Sequence, residues 1–304
     1  MLCLESLASL IAQDPAALSA QVAAFDLGGR RFDGEARPAI MGVINLSVDS
    51  WYRESVCGSA AAAIERGHVL AAQGADIIDI GAESSLAHAA RVDEAAQTSA
   101  LIPVVRDLAG AGKLISVETY HPTVTRACLQ AGARVLNLTG TDRSEEMFRQ
   151  VADHDAAVIL CYVLGANVRE VGEFDFTADP VAGMYEYFAR QIEVATRAGV
   201  RRLWIDPGLG FYYRNLQDSA VRIRHQMTVF LNTYRLRKLG WPVCHALPHA
   251  FEKFGEEVRC AEPFFAVLAA LGRTDLYRTH EVPRVRAVLD TLALWPAARE
   301  RPSV

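Results

Sequence analysis

Polar side chains follow several short apolar runs of the sequence, and their types could bind a small polar ligand. Two carboxylates, Glu118 and Asp206, lie within such runs themselves. Because an unpaired buried charge is costly, we expect each carboxylate to meet the N–H donors of a ligand, a cation or a hydrogen-bond network. The other polar residues that we consider candidates at the ends of apolar runs are Asn45, Asp49, Ser50, Ser85, Asn137, His249, Arg278 and His280.

The composition excludes several classes of protein. The chain has 304 residues, of which 51% are hydrophobic and 22% are charged, and its formal net charge is −5. These values are typical of a folded globular protein and exclude a disordered chain. No basic stripe is present, which argues against a nucleic-acid partner. No apolar run approaches the roughly 20 residues that a membrane span needs, so we expect no membrane partner either.

The compartment is predicted from the N-terminus and the cysteines. The first residues carry no cationic segment of the kind that begins a secretory signal. The six cysteines are scattered and form no C-x-x-C pair, which excludes a zinc ribbon and a disulfide framework. We therefore expect free thiols and a cytoplasmic protein.

Eight short apolar runs alternate with longer segments of helical periodicity, two of which span 218–239 and 257–271. The runs are short and uniformly apolar, which is typical of parallel strands buried on both faces. Their alternation with helices predicts an α/β fold, a (β/α)8 TIM barrel, with a doubly wound open sheet as the alternative. Active sites of such barrels lie at the carboxyl ends of the strands, where the polar residues above fall. The predicted strands are 39–45, 76–80, 114–118, 135–138, 157–162, 202–206, 243–246 and 276–279.

The first 37 residues lie outside this alternation. They predict a short amphipathic helix, followed by a hairpin over 25–34 that we expect to plug the bottom of the barrel. No internal repeat and no linker rich in Ser, Gly or Pro divides the rest of the chain. We therefore predict an N-terminal extension over 1–37 that caps the barrel, a barrel over 38–298 and a tail over 299–304.

Six motifs, in order from residue 41 to residue 282, resemble the signatures of one family, the dihydropteroate synthases. The run M-G-V-I-N-L-S-V-D-S from Met41 resembles M-G-I-L-N-x-T-P-D-S-F, and G-A-D-I-I-D-I-G-A-E-S from Gly74 resembles G-A-x-I-I-D-I-G-G-E-S-T-R-P. The remaining four are similar to S-I-D-T-Y, the asparagine of I-N-D, L-D-P-G-x-G-F and R-V-H-D-V, and they are found at 116–120, Asn137, 205–211 and 278–282. The resemblance implies a divergent pterin-binding (β/α)8 barrel.

The resemblance also implies how a pterin would be bound. A pterin presents a guanidine-like edge of N–H donors beside a carbonyl, which a buried carboxylate and an amide can satisfy together. We expect Asp206 to supply the carboxylate, Asn137 the amide and Glu118 a supporting acceptor, with Phe211 in the same pterin site.

The implied reaction belongs to folate biosynthesis and is a group transfer. A dihydropterin methyl diphosphate is joined to p-aminobenzoate or a related amine, with loss of diphosphate. In the family the diphosphate lies against the first loop, the last-strand Arg and His and a Mg²⁺ ion that the first-strand Asn holds; these positions are Arg278, His280 and Asn45 here. Catalysis there is mainly stabilisation of the leaving group and positioning. Further loop contacts are expected from Asp49, Ser50, Arg53 and Ser85.

Several positions depart from the family pattern, mostly around the acceptor amine and the diphosphate. Leu86 stands where the E-S-T-R-P motif has its arginine, and His249 stands where the S-R-K motif has its lysine. Arg53 of the first loop could supply a guanidinium in place of the missing one, and Trp51 and Tyr52 could cover a bound ring. We expect pterin binding to be retained more fully than the complete synthase reaction.

Three other functions are compatible with these residues. The first is a one-carbon methyltransferase or reductase that uses a reduced folate, and the second is a pterin-binding protein without catalysis. The third is a metal-dependent hydrolase, for which the ligands would come from His245, His249, His280, Glu118 and Asp206, although His245 could equally be a core histidine. The family commonly forms dimers through its last helices, so a homodimer is also expected.

Overall fold

A computed structural model describes residues 1–47, 49–50, 52–86, 89–173, 179–211, 213 and 215–295 of the chain. Ten strands and ten α-helices lie in the described part. The strands are β1 (Phe25–Leu27), β2 (Arg30–Phe32), β3 (Ala39–Asn45), β4 (Ile77–Gly81), β5 (Ile115–Thr119), β6 (Val135–Leu138), β7 (Ala157–Cys161), β8 (Leu203–Asp206), β9 (Cys244–Ala246) and β10 (Leu276–Thr279). The helices are α1 (Leu4–Ile11), α2 (Ala60–Ala72), α3 (Glu94–Gly110), α4 (Pro122–Ala131), α5 (Ser144–Asp153), α6 (Pro180–Arg197), α7 (Ser219–Asn232), α8 (Phe251–Phe254), α9 (Ala261–Leu271) and α10 (Val282–Leu292).

Strands β3 to β10 form one parallel sheet that curls into a nearly closed barrel. Its order is β8-β7-β6-β5-β4-β3-β10-β9. The two end strands meet through a parallel bridge between Ile205 and Val243, and the Ile205 amide donates to the Pro242 carbonyl at 3.1 Å. The (β/α)8 prediction is therefore confirmed, and the open-sheet alternative is wrong. The predicted strand bounds agree with the observed ones to within one residue at each end.

Two helices begin or end differently from the helical patterns of the sequence. The pattern over 218–239 becomes α7 followed by a 3-10 segment, Thr233–Leu239. Arg237 of that segment is buried and donates to Asp275 at 2.5 Å, which holds the tighter turn against the barrel. The pattern over 257–271 becomes a 3-10 segment and then α9, because Pro263 is tolerated only in the first turn of an α-helix.

The N-terminal hairpin packs against the amino-terminal end of the barrel. Strands β1 and β2 are antiparallel, and the two residues between them, Gly28 and Gly29, both have positive φ, at 57° and 76°. This backbone is that of the type I′ turn, which matches the twist of a two-stranded hairpin. Phe25 and Phe32 contact the fully buried ring of Trp204 on β8, with ring centroids 4.7 and 5.3 Å away.

Apart from this contact, the division of the chain into 1–37, 38–298 and 299–304 stays a prediction, and the tail lies outside the described residues. Among the described residues, no helix has both the length and the apolar character needed to cross a bilayer.

The hairpin contact predicts that Phe25→Ala lowers the free energy of unfolding by about 3 kcal/mol, because truncation of a buried phenylalanine leaves a cavity beside Trp204. Urea denaturation measures this value. Arg31→Ala is the matched control, since Arg31 lies on the exposed side of β2 and its ion pair with Asp26 is worth little. Equal stability of Phe25→Ala and the wild type would show that the hairpin does not stabilise the barrel.

Candidate active site

One pocket opens at the carboxyl end of the barrel, and all eight barrel strands or the loops after them contribute to its lining. The predicted site residues that line it are Asn45, Ser50, Ser85, Glu118, Asn137, Asp206, Phe211, His249, Arg278 and His280. Two predicted loop residues, Asp49 and Arg53, do not belong to the lining. The polar strand ends therefore come together as the barrel geometry requires.

The floor of the pocket is organised around the guanidinium group of Arg278 on β10. Its Nε donates to Asp79 at 2.7 Å, and its Nη2 donates to Glu118. Asp79 is fully buried on β4 and also accepts hydrogen bonds from Ser116 at 2.6 Å and from Asn137 at 3.1 Å. Burial alone would lower the pKa of Arg278, but the Glu118 and Asp79 carboxylates raise it above its usual value. Arg278 therefore stays a cation.

Asp206 is the third carboxylate near this guanidinium. Burial raises its pKa from 3.8 to about 6, although the Gly208 amide, which donates to Asp206 at 2.7 Å, opposes the shift. Burial likewise raises the pKa of Glu118, against the charge of Arg278. One guanidinium thus faces three carboxylates, of which Asp79 and Asp206 are buried and Glu118 is 14% exposed. The floor favours either a proton or a ligand rich in N–H donors.

The turn after Asp206 requires a glycine. Gly208 has a φ of 74°, and a Cβ atom at this position would lie 2.4 Å from the Tyr162 carbonyl oxygen. The D-P-G segment therefore folds back over the strand end, and in this turn the Gly208 amide donates to the Asp206 carboxylate.

A second polar group, on the wall of the pocket, contains a residue that the sequence analysis missed. Glu262, at the start of α9, is fully buried. Its Oε1 lies 2.8 Å from His280 Nδ1 and 3.0 Å from His249 Nε2, and the two nitrogens are 3.2 Å apart. Burial alone would raise the pKa of Glu262, but the neighbouring imidazoles of His280 and His249 hold it below its usual range. We call these three residues the histidine–glutamate cluster.

Glu262 was missed because an acidic residue in the first turn of a helix is commonplace. A signal was nevertheless present in the sequence. Glu262 precedes Phe265, Ala266 and Ala269 by three, four and seven residues, and these three are buried against the barrel. A charged residue in the apolar stripe of a helix indicates a buried polar contact.

Tyr52 covers the cluster from the first loop. It is 5% exposed, and its ring stacks on His249 and His280 at centroid distances of 4.9 and 4.7 Å. Its hydroxyl donates to Glu281, which also accepts from Arg259 at 2.7 Å. Tyr52 therefore orders the two imidazoles. Trp51, which the sequence analysis placed beside it over a bound ring, lies outside the described residues.

The metal-ligand set predicted for a hydrolase is not assembled. His245 points out of the barrel, where its Nε2 lies 2.7 Å from the Thr233 hydroxyl and its ring contacts Phe230 of α7. Burial lowers its pKa to about 3, so it is a neutral core histidine. Glu118 and Asp206 belong to the floor around Arg278, so only two of the five predicted ligands belong to the cluster.

Asp49, in the loop after β3, is attached to the loop after β4, whereas Ser50 and Tyr52 of the same loop line the pocket. Asp49 accepts a hydrogen bond from the Ala90 amide at 3.1 Å, and its carbonyl accepts one from Ser84 at 3.3 Å. Arg53 begins a short 3-10 turn and is exposed. The structure does not place Arg53 where the missing arginine of the motif would act, and Leu86 lines the pocket there as a buried side chain.

An eight-stranded barrel with a polar pocket at the carboxyl ends of its strands is the architecture of (β/α)8 enzymes. Comparison with known proteins identifies the family. The family described as pterin binding enzyme matches residues 41–244. The chain belongs to this family and is dihydropteroate synthase-like, as the motifs predicted.

Its relatives include both named synthases and an inactive one. The chain is 30% identical to the dihydropteroate synthase of Mycobacterium leprae, over 84% of this chain and 93% of the relative. It is 31% identical to the inactive dihydropteroate synthase 2 of Mycobacterium tuberculosis, over 88% of this chain and 85% of the relative. It also matches bifunctional folate-synthesis proteins from Halobacterium salinarum and Arabidopsis thaliana, of whose length it spans only 31% and 56%.

Solved structures show the same fold. The dihydropteroate synthase of Xanthomonas albilineans with 4-aminobenzoic acid aligns with a TM-score of 0.73 at 29% identity, covering 92% of this chain and 99% of the other. The same enzyme in complex with 7,8-dihydropteroate aligns with a TM-score of 0.71 at 27% identity, with the same coverage of both chains.

The raised pKa of Asp206 predicts a pH-dependent cost in stability. Its native pKa of about 6 lies above the ordinary 3.8, so the native protein binds this proton more tightly than the unfolded chain. The stabilisation from the bound proton is fully present below pH 3.8 and is lost as the pH rises through 6. We expect Asp206→Asn, which is neutral at every pH, to be more stable than the wild type by about 2–3 kcal/mol at pH 8. The difference should be small at pH 4.

Urea unfolding at pH 4, 6 and 8 measures this difference. Asp153→Asn is the control, because Asp153 is exposed at the end of α5. A difference between Asp206→Asn and the wild type that is the same at pH 4 and pH 8 would contradict the assignment of a buried, raised carboxyl.

Proposed function

We propose that the chain is a transferase that joins a dihydropterin methyl diphosphate to p-aminobenzoate or a related amine, with loss of diphosphate. The observation that carries this proposal is the floor of the pocket, where three carboxylates, two of them buried, and an amide lie around one guanidinium group. Such a floor is complementary to a ring whose edge carries several N–H donors.

In this proposal the pterin lies on the floor. Asp206 accepts the paired hydrogen bonds of the guanidine-like edge, which stabilises its ionised form. Asn137 is already oriented, because its amide nitrogen donates to Asp79 and its oxygen accepts from Cys161 Sγ at 3.4 Å. Phe211 lies beside the strand end of Asp206 in the pocket lining and supplies an apolar surface to the ring.

The chemical step breaks the C–O bond between the pterin methylene and the diphosphate and forms a C–N bond to the amine, which then loses a proton. The protein contributes positioning and stabilisation of the departing charge. Arg278 has five N–H donors, so it can bind the Asp79 and Glu118 carboxylates and an anion at the same time. His280 lies two residues further along, and its ring faces the same pocket.

One side chain of the pocket can offer an oxygen ligand to a Mg²⁺ ion. Mg²⁺ prefers oxygen ligands and is usually held by one or two protein groups together with substrate phosphates and water. Asn45 offers an amide oxygen in the lining, and its amide nitrogen is fixed by donation to Ser55 at 2.6 Å. We propose that Asn45 holds the ion, which would neutralise charge on the departing diphosphate.

A pterin-binding protein without turnover is the second candidate. Leu86 in place of a cation, and His249 held by the Glu262 carboxylate, favour it on the acceptor side of the pocket. An inactive relative with 31% identity also supports it. A one-carbon transferase or reductase that uses reduced folate is the remaining alternative. A cytoplasmic location is part of each of these proposals.

The direct test is incubation of the protein with Mg²⁺, dihydropterin methyl diphosphate and p-aminobenzoate, with chromatography of dihydropteroate and an assay of released diphosphate. We expect product from the wild type. Asp206→Ala should weaken pterin binding, measured by calorimetry, by about 100-fold or more, because two charge-assisted hydrogen bonds are lost. Asp153→Ala, on the surface, should leave both unchanged.

Other results distinguish the alternatives. Diphosphate without dihydropteroate would mean that a different acceptor is used. Pterin binding without release of diphosphate would reject the synthase reaction and support the non-catalytic protein. Failure of the folded wild-type protein to bind dihydropterin methyl diphosphate, together with binding of reduced folate, would support one-carbon chemistry.

We also propose a homodimer through α9 and α10, which pack on each other. Apolar side chains on these two helices are exposed, with Phe264 42%, Leu271 52% and Leu292 37% accessible. Sedimentation should give a dimer for the wild type and a monomer for Leu271→Glu. Val69→Glu, at a similarly exposed site on α2, is the control. A monomeric wild type would contradict the proposal.

A further inference from the structure

The histidine–glutamate cluster brings together three ligand atoms from three separate segments. His249 comes from the loop after β9, Glu262 from the start of α9, and His280 from the residue after β10. Their atoms Nε2, Oε1 and Nδ1 lie 2.8, 3.0 and 3.2 Å from one another. Each residue therefore contributes one atom to a triangle whose sides are nearly equal.

This convergence is poorly satisfied by protons alone. If both ring nitrogens carry hydrogen, their N–H groups point toward the same carboxylate oxygen while the nitrogens are only 3.2 Å apart. If one nitrogen carries none, it can only share the hydrogen that the other nitrogen also donates to the carboxylate, and its lone pair still faces the anionic oxygen. A cation at the centre of the triangle lets all three lone pairs point inward. We propose that His249, Glu262 and His280 form a binding site for a divalent transition metal ion of the zinc type.

The chemistry of the ligands selects this class of metal. Imidazole nitrogen suits zinc and its neighbours, whereas Mg²⁺ and Ca²⁺ prefer oxygen. Two histidines and one glutamate are a known ligand set of catalytic zinc sites, with a fourth position left open. Zinc–ligand bonds of about 2.0–2.1 Å place tetrahedral ligands about 3.3 Å apart, so the present triangle needs to expand by only a few tenths of an ångström.

The surroundings of the cluster hold the ligands in place. The second carboxylate oxygen of Glu262 accepts hydrogen bonds from the Thr279 hydroxyl, from the His280 amide at 2.9 Å and from the Glu281 amide at 3.1 Å. Tyr52 stacks on both imidazole rings. Contacts of this kind orient metal ligands and raise metal affinity.

The open position would face the pocket. His249 and His280 belong to the lining of the pocket, whereas Glu262 is buried behind them. A metal ion here would present its free coordination site to the ligand and could bind an anionic oxygen. This last step rests on the proposed function, because the anion would be the diphosphate, whereas metal binding itself does not rest on it.

The test uses the full chain, without an affinity tag, after removal of metal by dipicolinate and dialysis. Calorimetry and elemental analysis after equilibrium dialysis against Zn²⁺ should give one ion per chain. His249→Ala and Glu262→Gln should each weaken binding by about 100-fold or more. Thr279→Val, which removes only one hydrogen bond to Glu262, should weaken it by about 10–100-fold. His68→Ala, on the exposed face of α2, should leave it unchanged.

A spectroscopic arm tests the open position. The Co²⁺-substituted chain should give the visible spectrum of a four- or five-coordinate site, and this spectrum should change when inorganic diphosphate is added. An unchanged spectrum would overturn the open position. Circular dichroism checks that each variant is folded, and His249→Ala, whose side chain lies on a loop, tests the site even if Glu262→Gln does not fold.

The failure of this inference is distinguishable from failure of the proposed function. Absence of Zn²⁺ binding, or binding that survives both His249→Ala and Glu262→Gln, would overturn the metal site, even if dihydropteroate is formed. Stoichiometric Zn²⁺ binding that depends on these residues would establish the site even if no dihydropteroate is formed.

Discussion

The interaction on which the pocket depends is the contact of one guanidinium group, that of Arg278, with buried carboxylates on the floor of the barrel. Arg278 bridges Asp79 and Glu118, and Asp206 lies close enough to contribute to its electrostatic environment. These residues come from four different strands, so their arrangement exists only when β3 and β10 pair and the sheet curls. The closure of the barrel and the ion pairs of its floor therefore depend on each other, because a buried carboxylate without its partner would destabilise the fold.

Much of this arrangement could be predicted, because it follows from local pattern. Uniform apolar runs identified all eight strands, and polar residues at their carboxyl ends identified the floor of the pocket except for Asp79, which lies in the middle of β4. His245 shows where such reasoning needs one more step: Cys244 and Ala246 face the inside of the barrel, so the residue between them faces α7. Glu262 could not be placed in the same way, because its role depends on how α9 packs behind β10.

The two sides of the pocket are built differently. The floor is made of residues within or directly after strands, whose positions are fixed by the hydrogen bonds of the sheet. The wall with His249 and Tyr52 is made by loops and by the start of a helix, where substitutions and insertions are more easily accommodated. The sequence departs from the dihydropteroate synthase motifs in such loops at Leu86 and His249, and on the floor at Glu118, which stands where S-I-D-T-Y has its aspartate. Substitutions in the loops leave the strand residues of the floor in place, and the change at Glu118 keeps a carboxylate there.

The charges of the pocket impose opposite demands on a ligand. Three carboxylates against one guanidinium on the floor favour a proton or a ligand that donates hydrogen bonds, since burial raises the pKa of Asp206 and Glu118. Arg222, which also lines the pocket, is already paired with Glu252 at 2.5 Å. An anionic group of a ligand would therefore bind to Arg278, to the imidazoles or to the metal ion that we propose they hold. A molecule with an N–H-rich ring at one end and a diphosphate at the other meets both demands, and a neutral sugar or an aliphatic acid meets only one.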